Sequence, residues 1–126
     1  MSKIVGIGTD MCAVSRIEKA IQKEHFYERV FSEEERAYLE KKEKARAQSA
    51  AAMFAAKEAV SKALGTGFIH GIMPWTIEVT HAENGAPGIM LHGAAKERLE
   101  ALGGAEVHLS LTHEGDSAMA FVIIEG

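Results

Sequence analysis

The chain is 126 residues long with a formal net charge of −4, which predicts a single domain, residues 1–126, with a modest core. Its 47% hydrophobic content argues against disorder, and no apolar run approaches the roughly 20 residues that span a bilayer. The acidic balance argues against a general nucleic-acid binder. The opening MSKIVGIGTD lacks the long apolar stretch of a signal peptide, and the single cysteine, Cys12, allows neither an internal disulfide nor a Cys-rich zinc site, so the chain is expected to be cytoplasmic, with no nucleic-acid or membrane partner.

Residues 3–13, KIVGIGTDMCA, alternate as a strand. Val5, Ile7, Thr9 and Met11 take one face; Ile4, Gly6, Gly8 and Asp10 take the other. The glycine face has almost no side chains, so another element can approach it closely, with Asp10 at its end. Ser15 is placed to cap a helix from residue 16 to about residue 24, with Glu18 completing a capping box. Ser32 and Glu35 repeat that signature before a second helix over residues 33–43. After the charge run KKEKARAQ comes a long Ala-rich helix, about residues 46–64, ended by Gly65. WTIEVTHA is a strand. ENGAPGIMLHG holds a turn at Asn84-Gly85 and a second short strand. AAKERLEAL is a helix ended by Gly103 and Gly104, and EVHLSLTH and SAMAFVIIE are strands joined by the turn EGDS. Helices mixed with hairpin-connected strands predict an α+β fold, an antiparallel sheet packed with the Ala-rich helix.

Chemistry concentrates on that helix. Phe54, Glu58 and Lys62 share one i,i+4 ridge with Ser61 beside them, and Lys57 lies about 100° round from Glu58. On a solvated face, Glu58 and Lys62 would be an ordinary ion pair contributing about 0.3–0.5 kcal/mol. If the helix instead packs on the glycine face of the first strand, Asp10 and Glu58 approach each other. Two carboxylates at close range need a cation or a proton between them. Oxygen donors without a Cys or His cluster suit Mg²⁺, and Lys62 would then reach an anionic group on that metal.

Other signals are open between two meanings. Gly65 and Gly67 serve as a helix cap and turn, or admit a ligand close to the backbone. His113 ends a strand as a structural or a functional histidine. Arg16, Lys19 and Lys23 form one helical stripe, either a solvated face or a dock for an acidic partner beside Asp10. The remaining histidines show no metal-ligand spacing, and Cys12 reads as a small packed residue.

Together these blocks resemble the holo-acyl-carrier-protein synthases, the small 4′-phosphopantetheinyl transferases. IGTDMCAVSRI looks like the family's opening Gly-x-Asp block with its downstream Arg-Ile. FAAKEAVSKALGTG is similar to its Phe/Trp-x-x-Lys-Glu-Ala-x-x-Lys-Ala-x-Gly-x-Gly signature, and LSLTHEGDSAMAFVI to its closing Ser-x-Ser/Thr-His block. NGAP resembles its Asn-Gly-x-Pro turn. Met53 departs from the pattern, standing where the family commonly has arginine; Lys41, Lys42, Lys44 and Arg46 offer charge nearby.

The resemblance implies transfer of the 4′-phosphopantetheine arm of coenzyme A to a serine of apo acyl carrier protein, leaving adenosine 3′,5′-bisphosphate. It implies Mg²⁺ at Asp10 and Glu58, and Lys62 on the transferred phosphate. Gly65, Thr66 and Gly67 would lie against the nucleotide, His113 near the adenosine, and Arg16 on the helix that docks the carrier, with Lys19 and Lys23 on its stripe. It further implies a homotrimer with sites between subunits. Glu58 is the candidate base. Two other readings use the same residues: a metal-dependent phosphodiester hydrolase, and a binding module in which Asp10, Glu58 and Lys62 form a structural ion cluster.

Overall fold

The structure is a computed structural model that describes residues 2–126. Strand β1 (Ile4–Ala13) leads into three short helices, α1 (Val14–Ala20), α2 (Glu24–Val30) and α3 (Glu33–Glu40). A 3-10 turn, Glu43–Ala45, precedes the long helix α4 (Arg46–Ala63). A second 3-10 turn, Pro74–Thr76, opens the hairpin β2 (Ile77–His81) and β3 (Pro87–Leu91). Helix α5 (Gly93–Ala101) and the strands β4 (Glu106–Glu114) and β5 (Ser117–Glu125) complete the chain.

The strands form two antiparallel sheets, β1-β5-β4 and β2-β3. The α+β class therefore holds, and the strand pairs fall where the alternation put them. The turn at Asn84-Gly85 also forms, with Gly85 at φ 88° and the Asn84 side chain accepting from the Ala86 amide at 3.0 Å.

Helix α4 packs across β1 and β5 as the glycine face demands. A Cβ added at Gly6 or Gly8 would collide with the carbonyl oxygen of Ala63 or Ala59, so only glycine permits this approach. Ala50, Ala51, Ala55, Ala56, Ala59 and Val60 are fully buried. From Ala50 to Leu64, the helix leaves only Phe54, Glu58 and Lys62 short of burial, the expected ridge.

Several local expectations change; among them, the helix expected over residues 33–43 ends at Glu40, and Trp75 and Thr76 belong to a 3-10 turn rather than to the strand. Helix α1 begins at Val14, and Ser15 does not cap it; its amide and hydroxyl instead donate to Asp116 at 2.9 and 2.7 Å. The helix also ends at Ala20, so Lys23 lies beyond it, at the start of α2. Residues 24–30, which carry no side-chain cap, form a separate helix. Finally, a register shift between Ile4 and Gly6 exchanges the first two faces: Ile4 is exposed, and Val5 packs on the core. The Ser32–Glu35 capping box forms as expected, with bonds of 3.1 and 2.8 Å.

Candidate active site

Asp10 stands on the inward face of β1, half-buried, opposite Glu58 of α4. Their carboxyl groups lie within hydrogen-bonding reach of each other. Lys62, one turn further along α4, donates to Asp10 Oδ1 at 2.8 Å and to the Thr9 carbonyl at 3.1 Å. Burial, followed by the hydrogen bond and negative charge of Asp10, pushes the Glu58 carboxyl up to about 7. Burial also pushes Asp10 up, but its bonds to Glu58 and Lys62 and the lysine charge outweigh it and hold Asp10 low. Below about pH 7 the pair thus keeps one proton where two negative charges would repel. A divalent cation relieves the same repulsion, and an all-oxygen donor pair suits Mg²⁺. The residues present therefore fit that metal.

The loop after α4 is shaped by two glycines in the left-handed region, Gly65 at φ 80° and Gly67 at φ 67°. The Thr66 and Gly67 amides both donate to the Ser61 carbonyl, at 3.2 and 3.1 Å. Arg98 of α5 donates to the Leu64 carbonyl at 2.9 Å, placing a cation at the negative end of the helix. Helical position alone did not single out Arg98.

Arg16, Lys19 and Lys23 line one exposed hollow despite the shortened helix. Arg16 donates to Cys12 Sγ at 3.7 Å, and its charge offsets a small part of the upward shift of the Glu58 carboxyl.

His113 is not brought to this cluster. It meets Gln48 at 3.0 Å, near the start of α4, whereas Gly65 follows the end of that helix. Seventeen residues of helical rise separate those levels, about 25 Å. There His113 borders a cavity of about 440 Å³ between α4, β4 and the β2–β3 hairpin, lined also by Tyr38, Met53, His81 and Pro87. Tyr38 and His81 stack with ring centres 3.8 Å apart. Of the supplementary cations, Lys42 lies over the Tyr38 ring at 4.7 Å and Arg46 pairs with Glu40 at 3.1 Å.

Two groupings were not signalled by the sequence. Lys57 and Glu35 form an ion pair of 2.9 Å with both side chains 1% exposed. Glu106, His108 and Glu125 gather at the far end of the large sheet, with their ligand atoms within 4.8 Å of one another. These three are exposed or half-exposed, and a cross-strand bond of 2.9 Å from His108 to Glu125 accounts for their proximity.

Comparison with known proteins identifies the fold and the family. A holo-[acyl-carrier-protein] synthase of Treponema denticola is 47% identical over 123 residues, spanning 98% of this chain and 99% of that one. The crystal structure of the synthase from Neisseria meningitidis superposes with a TM-score of 0.87 at 34% identity, over 98% of this chain and 100% of that one. The Helicobacter pylori synthase in complex with coenzyme A gives 0.81 at 32% identity, over 94% and 98%. Residues 6–122 match the family described as ACPS, the 4′-phosphopantetheinyl transferase superfamily, and with the glycine strand, the packed α4 and the Asp10–Glu58–Lys62 cluster all in place, the chain belongs to that superfamily.

Proposed function

We propose that this chain transfers the 4′-phosphopantetheine arm of coenzyme A to a serine of apo acyl carrier protein, releasing adenosine 3′,5′-bisphosphate. The observation that carries the proposal is the carboxyl pair of Asp10 on β1 and Glu58 on α4 with Lys62 bonded onto it, Glu58 and Lys62 lying on the one open ridge of the helix between residues 50 and 64. Asp10 and Glu58 would hold Mg²⁺, which when bound neutralises pyrophosphate charge. Lys62, 54% exposed, is free to turn from Asp10 toward a phosphate and stabilise charge on the transferring phosphoryl group. Glu58 is the candidate base for the serine proton. The serine oxygen bonds to the phosphorus of the arm, the bond to the bisphosphate breaks, and the bisphosphate leaves with the electron pair.

The remaining parts follow from where residues stand. Gly65, Thr66 and Gly67 would receive the nucleotide's phosphates, and the His113 cavity is of a size for the adenosine. Those features are far apart in one chain, so a complete site draws them from two copies. The outer face of the β1-β5-β4 sheet supports assembly: Ile7, Met11, Met119 and Phe121 are 62%, 61%, 37% and 45% exposed there. A homotrimer with sites between subunits satisfies both observations. The Arg16–Lys19–Lys23 hollow would dock an acidic carrier. Among the described residues no helix is long and apolar enough to cross a membrane.

The test is incubation with coenzyme A, Mg²⁺ and apo acyl carrier protein, followed by intact mass of the carrier. One added phosphopantetheine arm is the expected result. Loss of coenzyme A without that gain would make the chain a hydrolase, and no reaction would leave a binding module.

A further inference from the structure

Lys57 and Glu58 are consecutive, yet they face opposite parts of the molecule. Glu58 turns to β1. Lys57, fully buried, turns to the junction of α3, the second 3-10 turn and β2. Its ammonium group donates to Glu35 Oε1 at 2.9 Å, to the Pro74 carbonyl at 3.0 Å, and to the Ile77 carbonyl. Three donors meet three acceptors, so nothing is left over for a substrate. Glu35 is equally committed: Oε1 also accepts from the Ser32 amide at 2.8 Å, and Oε2 from the Val79 amide at 2.8 Å.

The position of these bonds on β2 matters. The His92 amide donates to the Thr76 carbonyl at 2.8 Å, which sets the ladder to β3 at residues 76, 78 and 80. Ile77 and Val79 therefore point their backbone groups away from β3, along the free edge of a two-stranded sheet. A buried edge needs partners for those groups. Here no third strand supplies them; Lys57 takes the Ile77 carbonyl and Glu35 takes the Val79 amide. A two-stranded hairpin is marginal alone, and this ion pair fastens it to α4.

That hairpin forms one wall of the His113 cavity, through His81, Gly85 and Pro87; α4 forms another, through Gln48, Ala52 and Met53. We propose that Lys57, paired with Glu35, is a positioning residue for nucleotide binding: the buried pair locks the free edge of β2 to α4 and so sets the width of the cavity between hairpin and helix. The proposal rests on the transfer reading for the identity of the nucleotide.

The test uses two variants of the full-length chain. Lys57→Met combined with Glu35→Gln removes the pair while leaving no buried charge behind, a replacement that folded proteins commonly tolerate. Lys57→Arg keeps the charge, but its planar fork cannot place donors on all three acceptors. The probes are adenosine 3′,5′-bisphosphate binding by titration calorimetry and steady-state kinetics with each substrate varied, alongside thermal unfolding. The double variant is expected to stay folded while its bisphosphate affinity falls and its KM for coenzyme A rises roughly 10-fold or more, since small misplacements of a binding wall are amplified. KM for the carrier protein should change less than about twofold, because the Arg16 hollow belongs to a different part of the surface. Lys57→Arg should fall between wild type and the double variant.

Bisphosphate affinity unchanged in a folded variant overturns the proposal. So does a fall in apparent kcat that tracks the folded fraction while both KM values stay at wild type. If the double variant does not fold, Lys57→Arg decides on the same readout. Wild-type protein that binds bisphosphate but transfers nothing would overturn the transfer reading alone, and the binding comparison would still judge Lys57. Wild-type protein that binds no bisphosphate overturns both.

Discussion

At the scale of single residues, the proton shared by Asp10 and Glu58 makes stability depend on pH in a defined direction. Glu58 is raised from 4.5 to about 7 by burial first and by Asp10 second. Below 4.5 the folded and unfolded chains both carry its proton. Between 4.5 and about 7 the folded chain keeps a proton that the unfolded chain has lost, so stability falls as pH rises through that window. Asp10 acts oppositely: its lowered carboxyl contributes stability above the ordinary Asp range, lost as pH falls through its folded value. Metal-free protein should therefore be most stable in weak acid, and its melting temperature should decline between about pH 5 and about pH 8. Magnesium should raise the melting temperature far more at the upper pH, where both carboxylates are ionised. Calorimetry with chelator or magnesium at each pH checks this. An equal magnesium effect at both pH values, or one that persists in Glu58→Gln, would remove Glu58 from the metal site.

Elements position that pair through close approach. Helix α4 touches β1 at Gly6 and Gly8 against the backbone of Ala63 and Ala59, and backbone, unlike a flexible side chain, cannot move aside. Gly8→Ala should therefore push the helix away from the strand. The expected cost is about 1–3 kcal/mol, as for an overpacked core, together with a loss of transfer rate as Glu58 moves from Asp10. Urea unfolding and kinetics on the same variant test both; wild-type stability would mean that the contact is softer than its geometry. This packing was legible in the sequence because it is written in local periods: glycines every second residue on β1, alanines through α4, and the i,i+4 ridge of Phe54, Glu58 and Lys62. The Ser32–Glu35 box was legible for the same reason. Long-range partners were not. Glu35 showed its capping signal, but nothing in its neighbourhood pointed to Lys57, 22 residues away. Ser15 carried the same kind of cap signal, yet its groups go to Asp116, 101 residues on. Helix α2 has neither a capping side chain nor a long apolar period, and packing rather than local sequence defines it.

For the whole molecule, the sequence blocks could be matched one by one, but their order along the chain did not give the distance between them. His113 sits beside the start of α4 and Gly65 beyond its end; under the proposed function a second copy would close the nucleotide site, and the exposed Ile7, Met11 and Phe121 face offers a surface for it. In the proposed homotrimer the active sites are mixed in origin, with Glu58 from one protomer and His113 from its neighbour. Two impaired variants should then repair each other. Glu58→Gln lacks the carboxylate and His113→Ala lacks the nucleotide wall, and each should be weak alone at coenzyme A concentrations below the wild-type KM. In a closed ring, a site is intact when its carboxylate comes from a His113→Ala chain and its wall from a Glu58→Gln chain. Random equimolar exchange should produce this arrangement at roughly a quarter of sites. Activity should accordingly rise after the two variants are mixed and allowed to exchange subunits, to about a quarter of the wild-type rate. Activity that stays at the average of the separate variants, with sedimentation showing that exchange has occurred, would place Glu58 and His113 in service of the same chain and refute the shared site.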